Sequence, residues 1–151
     1  MKSKPDFERL QMLYEENATQ FRFFLTWRQV LLAGYFAVIA ALALGFEWAV
    51  TRAPDLTFAC PLAGACVSVL FWALDYRNRE LYHHASVVGA GLEEAMGHVE
   101  LGYYGTYQKI KNSRWRHSRL LKTFYLASGA AMLIISIITL FVRIPITAAG
   151  G

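Results

Sequence analysis

Val30 to Val50 reads VLLAGYFAVIAALALGFEWAV, an apolar run broken by a single charge, Glu47. A bilayer core of about 30 Å takes about 20 helical residues, and this stretch supplies that length. Two further runs match it. Leu56 to Leu74 (LTFACPLAGACVSVLFWAL) and Thr123 to Val142 (TFYLASGAAMLIISIITLFV) contain no charge at all. In 151 residues a soluble core is the ordinary expectation, but 56% of the residues are apolar and only 17% charged. Soluble domains carry about 25% charged residues. The predicted class is therefore an all-α integral membrane protein with three transmembrane helices. A cleavable signal peptide has an apolar stretch of only about 7–15 residues behind a short basic start. Here a long mixed polar segment precedes Val30, so the first run is expected to stay in the chain.

Lysine and arginine counts orient the spans. Lys2, Lys4, Arg9, Arg22 and Arg28 precede the first run. Arg77, Arg79, Lys109, Lys111, Arg114, Arg116, Arg119 and Lys122 lie between the second and third. The short connection after the first run has only Arg52, and the end of the chain only Arg143. The layout read from this pattern is a cytoplasmic helical extension (1–28), a first span (29–50), an outer turn (51–55) and a second span (56–74). A cytoplasmic helical and basic/aromatic segment (75–121), a third span (122–143) and an outer tail (144–151) follow.

The inner segments carry helical signals of their own. Pro5, Asp6 and Glu8 suit a helix start. Phe7, Leu10, Tyr14, Phe21 and Phe24 then recur at three- and four-residue steps, with Asn17 between them. No breaker follows, which predicts one helix of about 45 residues running into the first span. After Asp75, Leu81, Ala85, Val88, Leu92, Met96 and Val99 form a second stripe, with Arg77, Arg79, Glu80, Glu93 and Glu94 on the other side. The first two helices are thus expected to extend into the cytoplasm as a hairpin, with copies from other subunits completing its core. Gly89, Gly91 and Gly97 weaken the far end by up to about 1 kcal/mol each relative to alanine. Gly102 and Gly105 read as a turn.

Several positions invite a functional reading. Glu47 is an ionisable residue about one turn from the outer end of its span; repeated around an oligomer it would form a cation-attracting ring, and alone it would reach water or pair with Arg52. Cys60, Gly64 and Ser68 make a stripe of small residues that suits close helix contact or a narrow pore. Ser128, Met132, Ser136 and Thr139 make a weakly polar line on the third span. Pro61 either starts the second helix or kinks it. Lys109, Lys111, Arg114, Trp115, Arg116 and Arg119, with the tyrosines before them, offer stacking faces and cations. They suit a nucleotide or oligonucleotide ligand, or simply an anchor to anionic lipid at about 1 kcal/mol per cation.

Enzymatic motifs are missing from the sequence. Adjacent Glu93 and Glu94, like His83 and His84, do not share a helical face; Glu80–His84 and Glu94–His98 read as surface pairs. The histidines have no metal spacing, and no cofactor is expected. Cys60 and Cys66, about 9 Å apart along one helix, cannot bridge within it and read as packing residues or an intersubunit link.

At the inner end of the second span the chain reads Phe71-Trp72-Ala73-Leu74-Asp75-Tyr76-Arg77-Asn78-Arg79-Glu80-Leu81, with Gly91-Leu92-Glu93 further on. This resembles the LDxRNRxL-type junction of small bacterial membrane proteins, the SLATT group and the Hailong-type effectors of antiphage systems among them. The resemblance implies an oligomeric, gated channel in the bacterial inner membrane, controlled by a nucleotide signal or a cytoplasmic protein partner. Asp75, Arg77, Asn78 and Arg79 would be its junction residues. A plainer reading is that Asp75 ends the apolar run while Arg77 and Arg79 fix its depth among lipid headgroups. The alternative function is a non-conducting anchor that recruits another protein.

Overall fold

The structure, a computed structural model, describes residues 7–97, 102–110 and 117–141. These residues form four α-helices: α1 (Phe7–Arg52), α2 (Ala59–Ala95), α3 (Tyr103–Ile110) and α4 (His117–Phe141). There is no strand among them. α1, α4 and the stretch Pro54–Ala95 that contains α2 are long and apolar enough to cross a membrane. α1 is one unbroken helix of 46 residues, matching the length read from its stripe. It stops where Ala53, at φ −144° and ψ 66° and kept out of the helical region by the proline after it, turns the chain into a short 3-10 segment, Pro54–Leu56. The Thr57 hydroxyl closes that turn by donating to the Pro54 carbonyl at 2.7 Å. Pro61 lies in the first turn of α2, which begins at Ala59; in that turn the missing N–H would have no intrahelical partner. α2 ends at Ala95, and Gly97 terminates it in the left-handed conformation at φ +82°. Gly102 precedes α3 and Gly105 lies inside it, so the region expected as a turn is helical from Tyr103.

The chain divides into two compact units: Met1–Val30 with Asp75–His117, and Leu31–Leu74 with Ser118–Gly151. The second unit holds parts of α1, α2 and α4 around Tyr35, whose side chain is 1% exposed. Tyr125, Phe71 and Phe124 surround its ring at centroid distances of 4.9, 5.5 and 5.8 Å, all near edge-on. Its hydroxyl meets Ser68 Oγ at 3.0 Å and Ser128 Oγ at 2.6 Å, and Ser68 in turn donates to the Gly64 carbonyl. One tyrosine thus joins all three helices of the unit, and among the described residues no buried hydroxyl there is left without a partner. Small residues make the approach possible. A side chain at Gly129 would stand 3.1 Å from Ser68 Cβ, and one at Gly64 would overlap Met132. Ser136 adds a bond from α4 to the Phe58 carbonyl; Thr139 bonds within its own helix.

Tyr35 makes a direct test. Tyr35→Phe keeps the ring and loses the hydroxyl node, and is expected to cost about 1 kcal/mol. Tyr35→Ala also empties the aromatic cage and is expected to cost about 3–5 kcal/mol. Unfolding in detergent followed by near-UV circular dichroism measures both, and equal losses would contradict the packing described.

Candidate functional site

The first unit pairs the N-terminal part of α1 with the C-terminal part of α2 through polar side chains more than through the expected apolar stripe of α2, of which only Ala85 is buried among the described residues. On α2 the residues turned inward are Asp75, Asn78, Tyr82, Ala85, Gly89 and Glu93, again at three- and four-residue steps, with Ser86 buried beside Ala85. Leu81 and Val88 instead stand 43% and 41% exposed. Periodicity names the residues that share a side; it does not choose the side that another helix takes.

Three rungs set the register of the pair. Arg28 Nε donates to Asp75 Oδ1 at 2.8 Å, with Nη2 3.5 Å from Oδ2. Their side chains are only 15% and 6% exposed. The next rung is Asn78, whose amide donates to the Phe24 carbonyl at 3.0 Å. Its buried Oδ1 has no partner. Asn17 follows, donating to the Ala85 carbonyl at 3.0 Å. Asp75 and Asn78 of the junction motif are therefore clamp residues. Arg77 is exposed, and Arg79 lies over the Tyr76 ring at 5.2 Å.

Beyond the clamp, Glu93 organises an aromatic cluster. Placed on the outer side by its sequence, it is 3% exposed in the structure. Its carboxylate accepts from the backbone N–H of Tyr104 and of Gly105, both at 2.9 Å, and from the Tyr14 hydroxyl at 3.2 Å. A carboxylate from α2 thus caps the start of α3, where unpaired N–H groups and the positive end of the helix dipole favour negative charge. Tyr104 packs edge-on against Phe21 and Tyr14. Its ring lies so close to α2 that a side chain at Gly89 would approach it to 2.5 Å. Likewise, a side chain at Gly102 would overlap the Glu93 carboxylate. Tyr107 donates to the Tyr82 hydroxyl at 3.1 Å.

Burial raises the pKa of Tyr14, and its bond to Glu93 adds to the rise. Burial likewise raises Tyr104 past the opposing effect of Asn17, with Glu93 contributing in the same direction. Tyr107 is pushed up further, first by burial and then by Tyr82. All three are neutral across the physiological range, with Tyr14 donating to Glu93 and Tyr107 to Tyr82.

The remaining sequence candidates separate. Cys60, Gly64 and Ser68 take part in helix contact inside the second unit: Cys60 lies against Gly45, Gly64 against Met132, Ser68 against Tyr35. Glu47 is exposed, and no ion pair joins it to Arg52. Arg119 is exposed at the start of α4, and Lys109 lies in α3. Lys111, Arg114, Trp115 and Arg116 lie outside the described residues, as do Val99, His98 and the outer tail. Among the described residues no cluster of potential metal ligands occurs. The signal overlooked in the sequence is the line Asp75, Asn78, Tyr82, Gly89, Glu93, which is polar or small yet spaced as regularly as a core.

Two outcomes test the seam and the cap. Arg28→Ala strands a buried carboxylate and is expected to cost about 3–5 kcal/mol, whereas the exchange Arg28→Asp with Asp75→Arg recovers most of the loss; thermal unfolding in detergent reads both. Tyrosines whose folded pKa is raised stabilise fully below their unfolded value of about 10 and lose that contribution as pH climbs from there through the folded value. Protease cleavage within α3 should therefore be flat from about pH 6 to 9 and rise beyond about pH 10. A rise that begins below pH 9 would contradict the buried tyrosine cluster. No family model matches this chain, and no curated protein or solved structure matches it either.

Proposed function

We propose that the chain is an oligomeric membrane effector of a bacterial defence system, a gated ion channel or membrane-permeabilising protein of the inner membrane. In this reading the N-terminus and the inner helical hairpin are cytoplasmic, the C-terminus lies outside, and a nucleotide or protein signal acts on the inner segment. The observation that carries the reading is a contrast between two exposed surfaces of the second unit. α4 presents large branched residues, among them Ile134, Ile137 and Ile138, which suit acyl chains. α1 presents Ala33, Ala40 and Glu47 at seven-residue intervals, all exposed. Small residues let a neighbouring helix approach, and a carboxylate repeated on that side in each copy would draw cations. The interior around Tyr35 is filled, so conduction in this reading runs between copies.

That filled interior also favours the second reading, a non-conducting anchor that recruits a cytoplasmic partner. Ion flux into proteoliposomes separates the two. A conducting assembly is expected to pass cations in preference to anions. Glu47→Gln should lower that preference on the order of fivefold, or ~1 kcal/mol, the size of one charge interaction at about 4 Å in water. Absence of flux with nucleotides and lysate fractions added, together with a monomer or dimer by native mass spectrometry, would establish the anchor instead.

A further inference from the structure

The α1–α2 hairpin of the first unit has two broad sides. α3 covers one, where Tyr104 and Tyr107 pack with Phe21, Tyr82 and Ala90. On the other a groove of about 240 Å³ is lined by Leu13, Glu16, Asn17, Gln20, Val88 and Leu92. Seven-residue steps return a helical side chain to nearly the same direction. Trp27 therefore continues the line of Leu13 and Gln20, and Leu81 that of Val88. Phe23 stacks on Trp27 with ring centroids 6.2 Å apart. Leu13, Phe23, Trp27, Leu81 and Val88 are all at least 40% exposed. This side holds the stripe whose spacing reads as a core.

We infer that a second copy of this chain covers it. The two hairpins pack face to face about a two-fold axis parallel to their helices, giving a four-helix bundle. Lipid does not reach the far part of this side. Leu13 and Val88 lie about 20 Å along their helices from Arg28 and Asp75, at about 1.5 Å per residue. The inference rests on the membrane-spanning reading, though not on conduction. Copies in one bilayer share an inner side, which requires an axis running with the helices.

Such an axis places each α1 opposite α2 of the second copy, in the register found within the chain. That register sets Arg28 level with Asp75, Phe24 with Asn78 and Asn17 with Ala85. Trp27 then meets Arg77 of the second copy, an aromatic face against a cation. Glu16, level with Ser86, lies two residues or about 3 Å along the axis from His84, within reach for an acid and an imidazole. Met12, 62% exposed, meets Gly91, beside which a side chain would find nothing within 4 Å. Each contact forms twice, like charges do not meet, and the leucine and valine ridge closes between them.

Disulfide trapping in native membranes tests the arrangement. In the full chain with Cys60→Ala and Cys66→Ala, a tagged Met12→Cys variant is co-expressed with a differently tagged Leu92→Cys variant. Mild oxidation should link the two into a heterodimer. Glu15→Cys with Val87→Cys, at the same level on outward positions, should link little or not at all. Val88→Glu should abolish the Met12–Leu92 link and lower the copy number seen by native mass spectrometry of the full chain. No link between the first pair, equal linking by the control pair, or an unchanged copy number with Val88→Glu overturns the proposal. Flux in proteoliposomes without the Met12–Leu92 link would sink this bundle and leave the channel reading standing. The link without flux would do the reverse.

Discussion

A guanidinium and a carboxylate buried together at the end of a long apolar stretch constrain the first unit more than any other contact. Arg28 and Asp75 are 47 positions apart and nearly withdrawn from water. Removing either partner would strand a charge where water cannot reach it. A buried ion pair adds little net stability over a well-packed apolar substitute. What it contributes here is register. With Arg28 fixed opposite Asp75, the amide of Asn78 reaches Phe24 and that of Asn17 reaches Ala85, and Glu93 comes within reach of Tyr14. Each bond is satisfied in one alignment of the helices and broken by a slip of one turn.

The two units solve the problem of pairing long helices by different chemistry. In the second, one tyrosine ring fills the space between three helices and its hydroxyl closes on two serines. Apart from the buried Leu31 and Leu121, most leucines and isoleucines of this unit are left for the outside, as a lipid solvent would permit. In the first unit the seam is polar and aromatic, and several side chains spared from it, Leu13, Leu81 and Val88 among them, are apolar. That exchange of inside for outside is ordinary in a bilayer. It is unusual for a segment bordered by Arg9, Glu15, Glu16 and Glu94.

Much of this architecture was legible in the residues. The three apolar runs, the unbroken first helix, the turn at Pro54 and the place of Asn17 on the α1 stripe all follow from length, spacing and the geometry of proline. The partners of that stripe did not follow. Leu81, Val88 and Leu92 have the better core pattern, and nothing local reveals that α1 takes the side of Asp75 and Asn78. Glu93 reads as solvated because isolated carboxylates usually are. The N–H groups that justify its burial belong to Tyr104 and Gly105, in a segment whose two glycines signalled a turn. The hydroxyl node is likewise nonlocal, since Tyr35, Ser68 and Ser128 lie on three different helices.

The cap on α3 also dictates an order of assembly. Eight residues are too few to hold a helix in water alone, where about 12–15 are marginal. α3 borrows its first turn from Glu93 and its footing from the Tyr104 slot beside Gly89. Both are complete only after α1 and α2 have paired, because Tyr14 and Phe21 supply the far walls of that slot. The hairpin is therefore the template and α3 the late arrival. During synthesis the chain must close its first two long helices on each other before the segment leading into α4 has anything to fold against.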